Sequence, residues 1–352
     1  MEKVQISSKR DIGFDLLRVV AAFAVVIIHT AANVWRDIDV DSTEWLILTV
    51  WCELPRFCVC VFFMISGAFL LDNAHKSDIK TTLVKRVPKI AVAFVFWTCV
   101  YTVINILRVD DIRANLKWIV IEFFTGEYHM WFLFALLCLY LATPILKVIA
   151  NDEKLCKYYL VLFGVFQLIL PVLTQLPKIG IFLQEPVEKS EFCLTMGYSG
   201  YYVLGYYLKN HFPKGKTKAL IYLGGVIGAV YSVVSVAVVS RNNSVATETT
   251  AEYLSWNIAL MSVAVFVAVL SFAKNKKFGE KTRNAVTLSA NYSFGVYLAH
   301  PLVLWVFEWI GFVPTIFTPI ASVPVIAICT ALISFAISFL LRKIPKIGKM
   351  IT

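Results

Sequence analysis

Apolar runs of about twenty residues recur along almost the whole chain, each closed by a short charged segment. Roughly 20 such residues are what one helix needs to cross a bilayer. Hydrophobic residues make up 59% of the 352, enough for about ten spans, and only 16% of the chain is charged. A soluble domain carries close to a quarter charged residues. These values exclude an ordinary soluble enzyme, a disordered chain and a disulfide-rich secreted module. They predict an all-α polytopic membrane protein: a bundle of about ten transmembrane helices with no appended soluble domain.

The expected spans lie at roughly 14–34, 46–71, 88–107, 129–149, 156–175, 195–208, 218–240, 254–273, 285–309 and 321–341, with a short interfacial helix at 113–124. The balance of 33 Lys+Arg against 23 Asp+Glu gives a net charge of +10, which in a soluble protein would raise nucleic-acid binding. Its distribution argues otherwise. With both termini placed in the cytoplasm, 24 basic residues fall in inner segments and seven in outer ones, while Asp37, Asp39, Asp41, Glu44, Glu185, Glu248 and Glu252 fall outside. That asymmetry is the positive-inside rule, so the expected location is the cell (cytoplasmic) membrane, with lipid rather than nucleic acid as the partner. The first span is no signal peptide, because it carries Arg18 and His29 and lacks a small-residue cleavage site. The eight cysteines show no zinc-like spacing and read as small apolar helix residues.

An ionisable residue inside a span is costly and marks function by default. On the first helix, Asp11, Asp15, Arg18 and His29 fall on one stripe at about 100° per residue, with Ala22 between them. Arg18 and His29 lie roughly 16 Å apart along the axis. A cation near the inner face and an imidazole beyond the midplane suit an anionic cytosolic donor that extends a long arm into the membrane. The bland alternative is an Asp15–Arg18 pair that merely orients the helix. His129 and His300 are expected at the depth of His29, whereas His75 and His211 fall in loops. A three-histidine metal site is the weaker reading, and no metal is expected. Arg56 either lines the pocket of His29 or pairs with Glu53, with Pro55 disturbing the helix between them. Lys85, Arg86 and Lys89 form a basic cluster that fits a nucleotide phosphate or simply lipid phosphate. Gly200 and Gly205 read as close helix packing.

Several segments together resemble the acyltransferase-3 family of membrane-bound acyltransferases. They are Phe14-Asp15-Leu16-Leu17-Arg18 with His29 eleven residues beyond the arginine, Phe62 to Leu71, His129-Met130-Trp131-Phe132-Leu133, Tyr140 to Pro144, and Ser293 to His300. The branch most resembled is the surface-polysaccharide O-acetyltransferases of the enterobacterial-common-antigen type. The resemblance implies acetyl-CoA as cytoplasmic donor, its phosphates held by Arg18, Lys85, Arg86 and Lys89. His29 would act as general base or acyl carrier, with Arg18 also in the catalytic set. His129, His300, Arg56 and Trp131 would bind the acceptor or stabilise the oxyanion, and the acceptor would be an extracytoplasmic glycan or lipid-linked sugar. The family pattern usually carries Arg-x-x-Arg where this sequence has Arg86-x-x-Lys89, which puts a bidentate phosphate contact at Lys89 in doubt. Some relatives add an extracytoplasmic esterase-like domain. Without one, the acceptor reaches the membrane site itself or a separate extracytoplasmic protein assists. The alternative from another class is an amino-acid transporter, related to the membrane domains that precede serine racemases.

Overall fold

The computed structural model describes residues 10–73, 78–108, 112–176, 178–189, 197–248 and 252–352. His75 and Cys193 lie outside the described residues, as does the start of the span expected at 195–208. Among the described residues every regular element is helical.

The first three helices are α1 (Ile12–Trp35), α2 (Thr43–Glu53) and α3 (Phe57–Leu70). α4 (Ile79–Thr81) passes through a π turn at Thr82–Arg86 into α5 (Val87–Arg108), followed by α6 (Ile112–Thr125) and α7 (Trp131–Asn151). α8 (Glu153–Phe163) passes through a second π turn at Gly164–Ile169 into α9 (Leu170–Thr174). The remainder are α10 (Gly180–Lys189), α11 (Ser199–Asn210), α12 (Gly215–Asn243), α13 (Trp256–Asn275), α14 (Glu280–Trp309), α15 (Pro319–Leu341) and α16 (Gly348–Ile351).

Eight helices or joined helices among the described residues are long and apolar enough to cross a membrane. They fall on eight of the ten expected spans. The other two positions hold helices of a different kind. α11 has only 12 residues, about 18 Å of helix, which is shorter than the hydrocarbon core. α14 has 30 residues but is too polar to qualify; it buries Thr287, Ser293 and His300 inside the bundle. Length and hydropathy thus support eight of the ten expected spans among the described residues. The span expected at 46–71 is broken by a 3-10 turn at Leu54–Arg56, where Pro55 cannot continue the hydrogen-bond ladder. The short helix expected at 113–124 is α6, which runs on toward α7 as one apolar stretch, Leu116–Asn151.

α1 is the central helix and packs against α3, α13, α14 and α15. Its start is set by Asp11, whose side chain accepts the Gly13 N–H at 2.8 Å. The closest crossing joins α3 and α11. A Cβ on Gly67 would overlap the Tyr202 backbone, and one on Gly205 would overlap the Met64 backbone. Gly200 faces the Phe163 ring of α8 just as closely. The two glycines read from sequence as packing positions do pack. The outer surface carries Ile145, Val148, Leu220, Val234 and Leu332, all exposed, as a lipid-facing surface requires.

Candidate active site

Two cavities enter the bundle, and α1 contributes to both. The first, of about 470 Å³, opens beside the N-terminal end of α1. Its cations are Arg10, Arg18, Lys85, Arg86, Lys89 and Arg342, and no acidic side chain is among its described lining residues. The π turn at Thr82–Arg86 brings Lys85 and Arg86 to the same wall as Lys89. π turns inside helices occur often at functional sites.

Two of these cations, Arg10 and Arg18, are held by Asp15, which is only 1% exposed. Its carboxylate meets Arg10 at 2.6 Å and Arg18 at 3.1 Å, and accepts the Thr287 hydroxyl at 3.2 Å. Arg10 also donates to the Asn291 side chain at 2.8 Å, and Arg342 donates to the Asn291 carbonyl at 2.8 Å. The Asp15–Arg18 pair therefore exists, and it also aims a guanidinium at a cavity. At its inner end the cavity reaches Phe132 and Tyr297.

The second cavity, of about 420 Å³, lies toward the other end of α1. His29, Asn33, Arg36, Arg56, Tyr128, Glu248 and Glu308 are among its polar lining residues, and Tyr253 and Trp305 among its aromatic ones. Arg56 both lines this cavity and bonds Glu53 at 2.8 Å, so the two readings of it hold together. Trp131 lies in an adjoining cavity, which it shares with Arg56 and Tyr253.

Histidines and tyrosines fill the space between the cavities. The His29 ring lies 5.0 Å from that of His300, centroid to centroid, and His300 lies 5.4 Å from His129. The Tyr297 hydroxyl donates to the His129 carbonyl, and Tyr101 donates to the Leu298 carbonyl at 2.6 Å. Of the three histidines expected at one depth, His300 thus neighbours both of the others. Among the described residues, no group of three or more His, Cys, Asp or Glu is placed to hold a metal ion.

The state of His300 follows from its neighbour in sequence. Pro301 lies inside α14 and has no N–H to give the carbonyl four residues back, that of Tyr297. His300 Nδ1 sits 2.6 Å from that oxygen. A carbonyl only accepts, so Nδ1 carries the proton and Nε2 is left with its lone pair. Among the described residues, this buried Nε2 has no hydrogen-bond partner.

A family model, that of an acyltransferase domain, matches residues 11–342. The chain belongs to the acyltransferase-3 family. The match spans nearly the whole chain and every helix that contributes to the two cavities. No curated protein and no solved structure matches. Membership makes acyl transfer the reaction class, and the apolar helices make this acyltransferase-3 protein a membrane enzyme.

Of the residues singled out from sequence, Arg18, Lys85, Arg86 and Lys89 share the basic cavity, and His29 and Arg56 share the other. His129 and His300 are buried behind His29. Sequence reasoning missed Arg10 and Arg342, which looked like topology charges, and Asn291, which anchors both. It also passed over Tyr297, although that residue stands inside the quoted Ser293–His300 segment, where a tyrosine three residues before a His-Pro pair was a usable signal.

Proposed function

We propose that this protein is a transmembrane O-acyltransferase that moves an acetyl group from acetyl-CoA to a hydroxyl of an extracytoplasmic glycan or lipid-linked sugar. The single observation that carries this is the pair of cavities at opposite ends of one helix, one lined by six cations and the other by His29, separated by a few aromatic and imidazole rings. The cation cavity suits the phosphates of a nucleotide, and its apolar inner wall of Phe62, Phe132 and Tyr297 suits a pantetheine arm. The basic charge bias around that end supports a cytoplasmic orientation for it.

The thioester then meets the acceptor near His29. The neutral imidazole takes the hydroxyl proton as the oxygen attacks the thioester carbonyl. The tetrahedral intermediate collapses, the C–S bond breaks, and the CoA thiolate recovers the proton from His29. His300 Nε2, as an acceptor, fits the role of orienting His29 rather than of binding an oxyanion. His129, buried beside His300, is placed to donate to the developing oxyanion.

The test uses the full chain in lipid nanodiscs with acetyl-labelled acetyl-CoA and an envelope glycan extract. His29→Ala should abolish label transfer while retaining acetyl-CoA binding. Full transfer by that variant refutes the mechanism.

A further inference from the structure

The cavity of His29 does not end at His29. It shares Arg56, Glu248 and Tyr253 with the adjoining cavity, of about 530 Å³, whose other walls are Trp131, Tyr198, Glu252 and Leu254. We propose that this adjoining cavity is a subsite for an uncharged sugar ring adjacent to the unit that is acylated, so that the acceptor is an oligosaccharide rather than a monosaccharide. This rests on the acyltransferase reading above for the identity of the neighbouring chamber.

The walls carry the inference. Trp131 packs against both Tyr198 and Tyr253, 5.5 Å from each ring centroid with interplanar angles of 34° and 33°, and all three residues line the cavity. Tyr198 is backed by Phe63 at 4.6 Å. The Tyr253 carbonyl accepts the Tyr201 hydroxyl at 2.9 Å and the Cys60 thiol at 3.3 Å, which pins its backbone. An aromatic face is electronegative and attracts the C–H face of a pyranose. Carboxylates accept from vicinal hydroxyls, and Glu248 and Glu252 line the same cavity.

Charge sets the selectivity. Arg56 is already bound to Glu53 at 2.8 Å and to Glu248 at 3.7 Å, and Arg36 is held by Glu248 at 3.4 Å. A sugar carboxylate would meet Glu248 and Glu252 with its attractive cations already neutralised. The subsite therefore rejects uronates.

The experiment is a binding measurement on the full chain in nanodiscs, against an array of mono-, di- and trisaccharides in matched neutral and uronate forms. Acetyl-CoA binding and transfer are measured in the same preparation. The expected result is binding that strengthens from one unit to two and prefers neutral members. Trp131→Ala should weaken the di- and trisaccharides about tenfold and leave acetyl-CoA binding intact. Glu252→Lys, at an exposed position, should shift preference toward uronates. Acetyl-CoA binding and transfer without any dependence on glycan length, or a wild-type preference for uronates, overturns the subsite and leaves the acyltransferase reading standing. Length-dependent neutral glycan binding without acetyl-CoA binding overturns the latter and leaves the subsite.

Discussion

The ring of His300 stands 5.0 Å from the ring of His29, although one comes from the ninth-tenth of the chain and the other from its first helix. Their pairing is fixed by a covalent detail two bonds away. Pro301 leaves the Tyr297 carbonyl without its helical donor, and His300 Nδ1 fills the gap.

Pro301→Ala should therefore separate activity from stability. The new backbone N–H competes for the Tyr297 carbonyl and releases His300 from one tautomer. Transfer should fall by about tenfold or more, since general-base chemistry contributes on the order of 10² to 10⁴. The thermal midpoint should hold or rise, because proline inside a helix is unfavourable. A drop in midpoint that parallels the drop in rate would mean that Pro301 is only structural.

Asp15 gathers Arg10 and Arg18 and is itself buried. Asp15→Asn leaves two guanidinium groups short of a counter-charge. The expected cost is about 1.5–3 kcal/mol of stability, the scale of a hydrogen bond to a charged group. Acetyl-CoA affinity should fall as well, because Arg18 loses its anchor. Thermal unfolding and donor titration on one preparation check both.

On the proposed donor reading, Arg86→Ala in the basic cavity should raise KM for acetyl-CoA about tenfold with little change in kcat, since a phosphate contact remote from the thioester would bind ground state and transition state alike. Lys89→Arg should lower KM a few-fold by restoring a bidentate fork. Both effects should shrink at high salt. A kcat effect with KM unchanged would remove these residues from donor binding.

Gly205 lies where a Cβ would enter the Met64 backbone. Gly205→Ala must push α11 from α3, at a cost of about 1–3 kcal/mol. Gly215, with open space around it, is the control position, but its φ of 51° argues for leaving it as glycine; Gly164 in the second π turn has both space and ordinary geometry. Gly164→Ala should be near neutral in the same unfolding assay.

Much of this was legible in the chain. Apolar run length places the long helices because a bilayer admits few other solutions. The stripe of Asp15, Arg18 and His29 follows from helical periodicity alone. What stayed hidden involves residues whose sequence signature has a simpler cause. Arg342 reads as one more inner-face charge until α15 brings it to Asn291. Nothing in the sequence singles out Tyr198 and Tyr253, which the fold packs against Trp131. α14 reads as an ordinary span until the structure shows Thr287, Ser293 and His300 buried along it.

The sequence by itself determined the membrane class, the sites of most long helices, the charge bias between their ends and the residues able to do acid–base work, because each depends on local length, period or composition. Only the tertiary structure decided that cations at the ends of α1, α5 and α15 converge on one cavity, that His29 faces His300, and that aromatic residues line a cavity adjoining that of His29. Those are contacts between helices far apart in the chain, and side-chain packing rather than hydropathy chooses which faces meet.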